Sequence, residues 1–272
     1  MSQDTGKFRQ NTKDQYYTKP SVAAKCVATI QRIIPDTEVY QWIEPSAGKG
    51  AFLKALPTST DTIGLDLEPG LSDIVRADFL TWTPSDTKKR IFFGNPPFGS
   101  QGCLAKAFIK HAAAYGSILA FILPRSFVKP SMNRAFPLNF HCIYSEELEE
   151  NAFEVSGYEY NVPCVFQIWI QKTTNRIVEA AIEPLGFTYV KGNQPYDIAI
   201  KRVGGCAGTC SKSPEPNGNT HYFLKLEERY RTHIVKIIEQ LEQHTFPSNT
   251  VGPRSLSKSE VAQELNRILK IC

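Results

Sequence analysis

The sequence predicts an α/β chain: an open, mostly parallel sheet with helices on both faces, followed by a small C-terminal α/β appendage. Three observations carry this expectation. Short apolar runs of strand length recur between residues 39 and 123, each closed by a turn holding glycine, proline or an acid. Segments with apolar residues at helical spacing lie among them. Beyond Lys172 both pattern and charge change. Residues 1–171 carry 17 Lys+Arg and 17 Asp+Glu, residues 172–272 carry 14 and 10, so the whole net charge of +4 sits in the second part. Three segments follow: a polar, flexible N-terminus over 1–13, a main domain over 14–172, and an appendage over 185–272.

In chain order, Tyr16 and Tyr17 precede Thr18-Lys19-Pro20-Ser21, where Thr18 or Ser21 can cap a helix carrying Val22, Ala23, Cys26, Val27 and Ile30 inward. A helix start presents free backbone donors, and with Lys19 nearby it suits a carboxylate. Residues 39–43 read as the first strand. Glu44-Pro45-Ser46-Ala47-Gly48-Lys49-Gly50 follows, and residues 51–56, from Ala51-Phe52, look like a helix start. Strand, glycine turn and helix bring backbone close to a nucleoside. The glycine spacing matches neither the dinucleotide fingerprint nor the phosphate loop, which weighs against a dinucleotide oxidoreductase and for another adenosine ligand. The second strand, 62–67, ends at Asp66-Leu67-Glu68, where an acid suits ribose hydroxyls. The third, 74–75, leads to Asp78-Phe79; Asp78 can accept from an adenine amino group and Phe79 can cover its ring.

The fourth strand, Arg90-Ile91-Phe92-Phe93-Gly94, runs into Asn95-Pro96-Pro97-Phe98. Two prolines forbid continuation of the strand, so the chain turns sharply at the carboxyl end, where open α/β sheets place ligands. An amide oxygen there can accept from an exocyclic amino group, and the ring can stack on a flat base. A helix over 103–114 and a fifth strand over 117–123 follow. Arg125, Lys129 and Arg134 then lie in a polar, proline-bounded segment, with Arg125 and Lys129 as candidate substrate contacts. Residues 141–144 are short and extended, 146–150 acidic, 153–161 an aromatic loop whose Phe153 can close the base pocket, and 162–170 a final strand. The appendage reads as strands at 187–190, 196–203 and 221–226, a long mobile loop at 204–219, a helix over 227–243, and a last helix opened by a capping box at Ser257.

These stretches together resemble a class I S-adenosylmethionine-dependent N6-adenine methyltransferase with the motif order of the gamma group, most like the small solitary enzymes of phages and large DNA viruses. The resemblance spans residues 14–171. It implies a Rossmann-like seven-stranded sheet, S-adenosylmethionine as cofactor, and DNA, or else RNA, as acceptor. It places Thr18 on the methionine carboxylate and Glu44, Ala47, Gly48 and Gly50 along the cofactor, with Tyr17, Pro45, Phe52 and Leu67 beside them. Asp66 holds the ribose, and Asp78 with Phe79 the adenine. Asn95 and the Pro96 carbonyl accept from the target amino group at a corner fixed by Pro97, and Phe98 stacks on the flipped base. Asn in place of Asp in this tetrad is a common variant of that family. An appendage of this size leaves little surface for reading many base pairs, so a short target, single-stranded DNA or structured RNA stay open.

The alternatives are a guanine-N2 or protein-glutamine methyltransferase, and a catalytically silent subunit that keeps the fold. A restriction endonuclease counterpart is a conceivable partner. No metal site is expected: Cys206, Cys210, His221 and His233 match no common zinc spacing. With no signal-peptide core and no long apolar stretch, a membrane partner is not expected, and the seven scattered cysteines read as buried free thiols of a reducing, cytoplasmic interior.

Overall fold

The computed structural model describes residues 16–155, 157–178, 182–211, 216–247 and 254–271. The chain forms two compact units, Met1–Ile177 and Val178–Cys272.

The first unit contains β1 (Tyr17–Thr18), α1 (Pro20–Ile33), β2 (Gln41–Glu44), β3 (Thr62–Asp66), β4 (Val75–Arg76), β5 (Arg90–Gly94), α2 (Cys103–Tyr115), β6 (Ile118–Pro124), β7 (Phe140–Glu147), β8 (Phe153–Val155), β9 (Tyr158–Tyr160) and β10 (Cys164–Gln171). Seven of these strands make one sheet in the order β4-β3-β2-β5-β6-β10-β7. The neighbours from β4 to β6 are parallel, and β10 is antiparallel to both β6 and β7. This is the seven-stranded Rossmann-like sheet expected.

Its centre explains the unbroken apolar runs. Every residue of β2, β5 and β6 is buried, as strands covered on both faces must be. Side chains alternate across the sheet. Phe92 meets Phe79 with ring centroids 5.6 Å apart, beside Phe108 and Ala112 of α2. Its neighbour Phe93 meets Trp42 at 5.1 Å and Phe52 at 6.0 Å. The chain runs outward through β2, β3 and β4, then returns to β5 beside β2. A switch point therefore opens between Glu44 and Gly94, at the carboxyl edge.

Five local expectations are corrected. The helix start at 51–56 is a single 3-10 turn, Leu53–Ala55, with Pro57 close behind to stop it. No side chain caps α1: Lys19 stands at the cap and Pro20 at the first helical position, where its missing N–H costs nothing. The aromatic loop at 153–161 is a hairpin, β8–β9, whose β8 also pairs with β1 to make a separate three-stranded sheet. The acidic segment lengthens β7, whose Glu146 and Glu147 lie on an edge strand that their charge protects from further pairing. Of the described cysteines only Cys26 and Cys164 are buried; Cys103, Cys142 and Cys206 are exposed.

The second unit has an antiparallel sheet, β11 (Phe187–Val190), β12 (Ile198–Lys201) and β13 (His221–Leu226), with β13 central. Helices α3 (Glu228–Arg231), α4 (Ile234–Gln243) and α5 (Lys258–Leu269) follow. The helix expected over 227–243 breaks at Thr232-His233, two weak helix formers. Ile237, Leu241, Val261 and Leu265 join Leu224 and Phe246 in its core. The capping box at Ser257 and Glu260 is formed. The described start of the loop expected to be mobile is folded back on β12, where Cys210 bridges Ile200; residues 212–215 lie outside the described residues. No helix among the described residues is long and apolar enough to cross a membrane.

Candidate active site

The parallel strands end at one edge with Glu44, Asp66 and Gly94, and the segments leaving that edge build the site. After β2 the chain turns through Pro45-Ser46-Ala47-Gly48-Lys49-Gly50. Gly48 and Gly50 have φ of +50° and +73°, a left-handed backbone that side chains rarely tolerate. The turn is held from three sides. Ala47 N donates to the Leu65 carbonyl (2.8 Å), Gly70 N to the Gly48 carbonyl (2.9 Å), and Gly48 N to Asp66 Oδ2 (2.7 Å). Asp66 Oδ1 accepts from Glu68 N at 2.8 Å. Each carboxylate oxygen has two lone pairs, so Asp66 anchors the turn and keeps acceptor capacity. The Asp66 carbonyl accepts from Ala77 N at 3.0 Å, which brings the Asp78 turn alongside. Asp78 is exposed, and Leu67 is 65% exposed, an uncovered apolar side chain beside the acid.

The Asn95 corner is fixed more tightly. Its side-chain Nδ2 donates to the Tyr16 carbonyl (3.0 Å), and its own carbonyl accepts from Ser46 Oγ (3.0 Å). The Phe98 carbonyl accepts from Leu104 N and Ala105 N, at 3.2 and 3.3 Å, tying the tetrad to the start of α2. Because a carbonyl occupies one end of the Asn95 amide, that end must be the NH2 group. Its Oδ1 is thereby the free end. It is buried and has no partner.

Among the described residues of the first unit, two more buried side-chain oxygens share this condition: Thr18 Oγ1 and Glu44 Oε2. Glu44 is 2% exposed, and burial pushes its carboxyl well above the ordinary carboxylate range; a main-chain bond with Leu53 opposes the shift and Asp66 adds to it. Gly94 makes room for it, since a Cβ there would lie 3.1 Å from Glu44 Cγ, and its φ is +118°. Buried oxygens without partners are rare in folded proteins and call for an explanation. Here they come from three distant stretches of sequence, and each stretch leads to the same sheet edge.

Strand β1 closes the arrangement. The Tyr17 ring lies against Gly48, with Lys49 Nζ over it at 4.4 Å. Thr18 pairs with Phe153, and Lys19 N donates to the Ala152 carbonyl at 3.0 Å. Tyr16 stacks on Phe98, with centroids 6.3 Å apart and planes 25° apart, and meets Tyr160 at 5.6 Å.

Tyr17, Thr18, Glu44, Pro45, Ala47, Gly48, Gly50, Asp66, Leu67, Asp78 and Asn95 to Phe98 thus meet at one edge. Three aromatic expectations are corrected. The rings of Phe52, Phe79 and Phe153 are 2%, 2% and 0% exposed and pack inward: Phe52 on Phe93, Phe79 on Phe92, Phe108 and His111, and Phe153 on Tyr16. None offers a face to a ligand. Arg125 and Lys129 follow β6 on the same edge; Arg125 Nη2 pairs with Glu147 at 2.8 Å. Sequence reasoning did not assign Ser46, Gly70 or the Tyr16 carbonyl. Their roles arise from contacts across the fold, which local patterning does not record.

No protein-family profile matches the chain, and comparison with curated proteins gives no match. Solved structures give several. One is a protein from Pyrococcus horikoshii provisionally described as an RNA methyltransferase: 15% identity, TM-score 0.44, covering 58% of this chain and 86% of that one. Another, from Listeria monocytogenes, is provisionally described as a class I S-adenosylmethionine-dependent methyltransferase: 14% identity, TM-score 0.48, 62% of this chain and 65% of that one. A third is the modification subunit of a provisionally assigned type I restriction enzyme from Vibrio vulnificus: 10% identity, TM-score 0.45, 96% of this chain and 62% of that one.

Proposed function

We propose that the first unit binds S-adenosylmethionine and transfers its methyl group to the exocyclic N6 amino group of adenine in nucleic acid, DNA in preference to RNA. The observation that carries this reading is the Asn95 amide. Its nitrogen is engaged by Tyr16, and its buried oxygen has no partner. Such an acceptor suits an N–H donor, and an exocyclic amino group is one. Asn95 Oδ1 and the Pro96 carbonyl accept from the target amino group and localise the nitrogen lone pair. The corner holds that nitrogen in line, and on transfer one N–H proton is lost to water. Positioning does the work, so no strong base is required.

The residues present fit the cofactor. Glu44 Oε2 and Thr18 Oγ1 suit the charged amino-acid end, Asp66 the ribose hydroxyls, Asp78 the adenine amino group, and exposed Leu67 an adenine face. Ala47, Gly48 and Gly50, with Pro45 behind and Tyr17 above, let backbone come close. When bound, the cofactor supplies a methyl group already activated by its sulfonium charge. Phe98, buried at 7% exposure beneath Tyr16, backs the corner that receives the target base, and Arg125 and Lys129 meet its phosphates. The second unit contributes to target recognition.

The test is transfer of a tritiated methyl group to duplex DNA, single-stranded DNA, RNA and protein in parallel, with products digested to nucleosides. Label in N6-methyladenine that vanishes with Asn95→Ala is the expected result. Label in guanine or protein, or no transfer while cofactor binding persists, overturns the reading.

A further inference from the structure

We infer that Glu44 is neutral in the free protein and ionises on receiving the α-ammonium group of S-adenosylmethionine, so that cofactor binding expels a proton and the site selects ligands by their cationic amino-acid end. This rests on the reading of the first unit as a binder of S-adenosylmethionine and adds the protonation change by which the cofactor is taken up.

The surroundings of Glu44 hold nothing to match a carboxylate. The residue closes β2, which lies between β3 and β5. It is 2% exposed, and its Oε2 has no hydrogen-bond partner. On the β5 side stands Gly94, where a Cβ would lie 3.1 Å from Glu44 Cγ and 3.3 Å from Oε1; glycine brings room and no side-chain donor. On the β3 side stands Asp66, a charge of the same sign, which adds to the upward push of burial on the Glu44 carboxyl. The main-chain bond with Leu53 is the contribution that opposes them. Cations of the adjoining segments are engaged elsewhere: Lys49 Nζ lies over the Tyr17 ring, Lys54 Nζ donates to the Lys49 carbonyl, and the Lys19 ammonium pairs with Glu159. Among the described residues no cation pairs with Glu44. A buried carboxyl in that position keeps its proton. One serving the fold alone would have its second oxygen satisfied by the fold.

An ammonium group supplies both things that are missing, a positive charge and N–H donors. The exchange balances. The Glu44 O–H bond breaks, its electron pair stays on the carboxylate, the proton passes to water, and the carboxylate accepts from the ligand N–H. An opposite charge within hydrogen-bond reach holds a carboxyl down, so Glu44 titrates lower in the complex than in the free protein. Between those two values affinity rises about tenfold per pH unit, and above the free-protein value it levels off.

The experiment is isothermal titration calorimetry of the full chain with S-adenosylmethionine, S-adenosylhomocysteine and methylthioadenosine, at pH of about 6.5 in phosphate and in imidazole buffer. At that pH a free α-amino group, with a value of about 7.7–8.0, already carries its charge, so the ligand itself exchanges little. The buffers differ in ionisation enthalpy, and the difference in observed heat counts the protons exchanged. S-adenosylmethionine and S-adenosylhomocysteine each release about one proton; methylthioadenosine, which lacks the amino-acid end, releases none. Glu44→Gln abolishes the release and flattens the pH dependence of affinity, with thermal unfolding as the check that the variant is folded. The ligand series on the wild-type protein carries the test without the variant. Binding of S-adenosylmethionine with no proton released, equal release with methylthioadenosine, or release that persists in Glu44→Gln overturns the inference. Binding of none of the three ligands overturns the cofactor assignment and this inference with it, so the two failures are told apart.

Discussion

Replacing Asn95 by aspartate tests the corner on which the functional reading depends. In the wild type the Asn95 amide donates to the Tyr16 carbonyl over 3.0 Å. An ionised aspartate puts an oxygen where the NH2 group stood, so two acceptors face each other with no proton between them. The lost bond is worth about 1 kcal/mol net, and leaving a buried carbonyl unpaired costs about 1–3 kcal/mol more. Some rotation of the carboxylate relieves part of this, so a loss of about 2–3 kcal/mol is expected. For a unit of this size each kcal/mol lowers Tm by about 2–4 °C, giving a drop of about 4–12 °C near neutral pH. The loss should shrink in acid, because protonated aspartate regains an O–H donor for Tyr16. A carboxyl raised in the folded state contributes stability at low pH and loses it as pH rises through the folded value. The assay is thermal unfolding of the variant and the wild type across pH, without ligand. An aspartate variant with wild-type Tm at neutral pH would refute the argument. It would mean that the Tyr16 carbonyl does not set the amide, and that the free end need not be the oxygen.

Two further outcomes follow from the glycine turn and its neighbour. Burial raises the Glu44 carboxyl in the folded protein, so wild-type stability should fall as pH rises from the unfolded value of about 4.3 upward through the folded value. Glu44→Gln removes that titration, and the Tm of the variant relative to wild type should climb with pH in the absence of cofactor; a gap that stays flat with pH would exclude a buried, raised Glu44. A Cβ on Gly70 would lie 2.7 Å from the Gly48 carbonyl oxygen, and backbone does not yield as a side-chain end does. Gly70→Ala should cost about 1–3 kcal/mol and weaken S-adenosylmethionine binding in calorimetry, whereas Gly218→Ala, with nothing within 4 Å of the new Cβ, should change neither; equal behaviour of the two variants would show that the turn tolerates displacement.

The parallel sheet was legible because strands buried on both faces must be continuously apolar, and residues 91–94 and 118–123 are. The Asn95 corner was legible because two prolines leave a strand no other course. The hairpin was misread as a loop although its pattern was present: Phe153-Glu154-Val155 and Tyr158-Glu159-Tyr160 alternate apolar and acidic residues on either side of the sequence Ser156-Gly157. The direction of an aromatic ring was not legible. Phe52, Phe79 and Phe153 all stand beside site residues in sequence, yet packing turns each ring inward. The Tyr16 contact was out of reach for another reason: it joins residues 79 positions apart, and a carbonyl has no residue type to search for.

That contact also ties the Asn95 amide to the shortest strand of the small sheet. The Asn95 oxygen is kept as the unpartnered end of the amide only while the Tyr16 carbonyl holds the nitrogen. Tyr16 is placed by β1, a strand of two residues. Its seating relies on pairing with β8, on the bond from Lys19 N to Ala152, and on the rings of Phe98, Phe153 and Tyr160. The same short strand carries Tyr17 over the glycine turn and Thr18 Oγ1 among the unpartnered oxygens. A strand this short has few bonds to lose, so it should open at far lower cost than the central sheet. When it opens, the amide is released and the cover of the glycine turn goes with it. The Asn95 amide and the cover of the glycine turn therefore depend on one local folding step, and under the proposed function a ligand that engages Thr18 would stabilise the orientation of Asn95 without touching it.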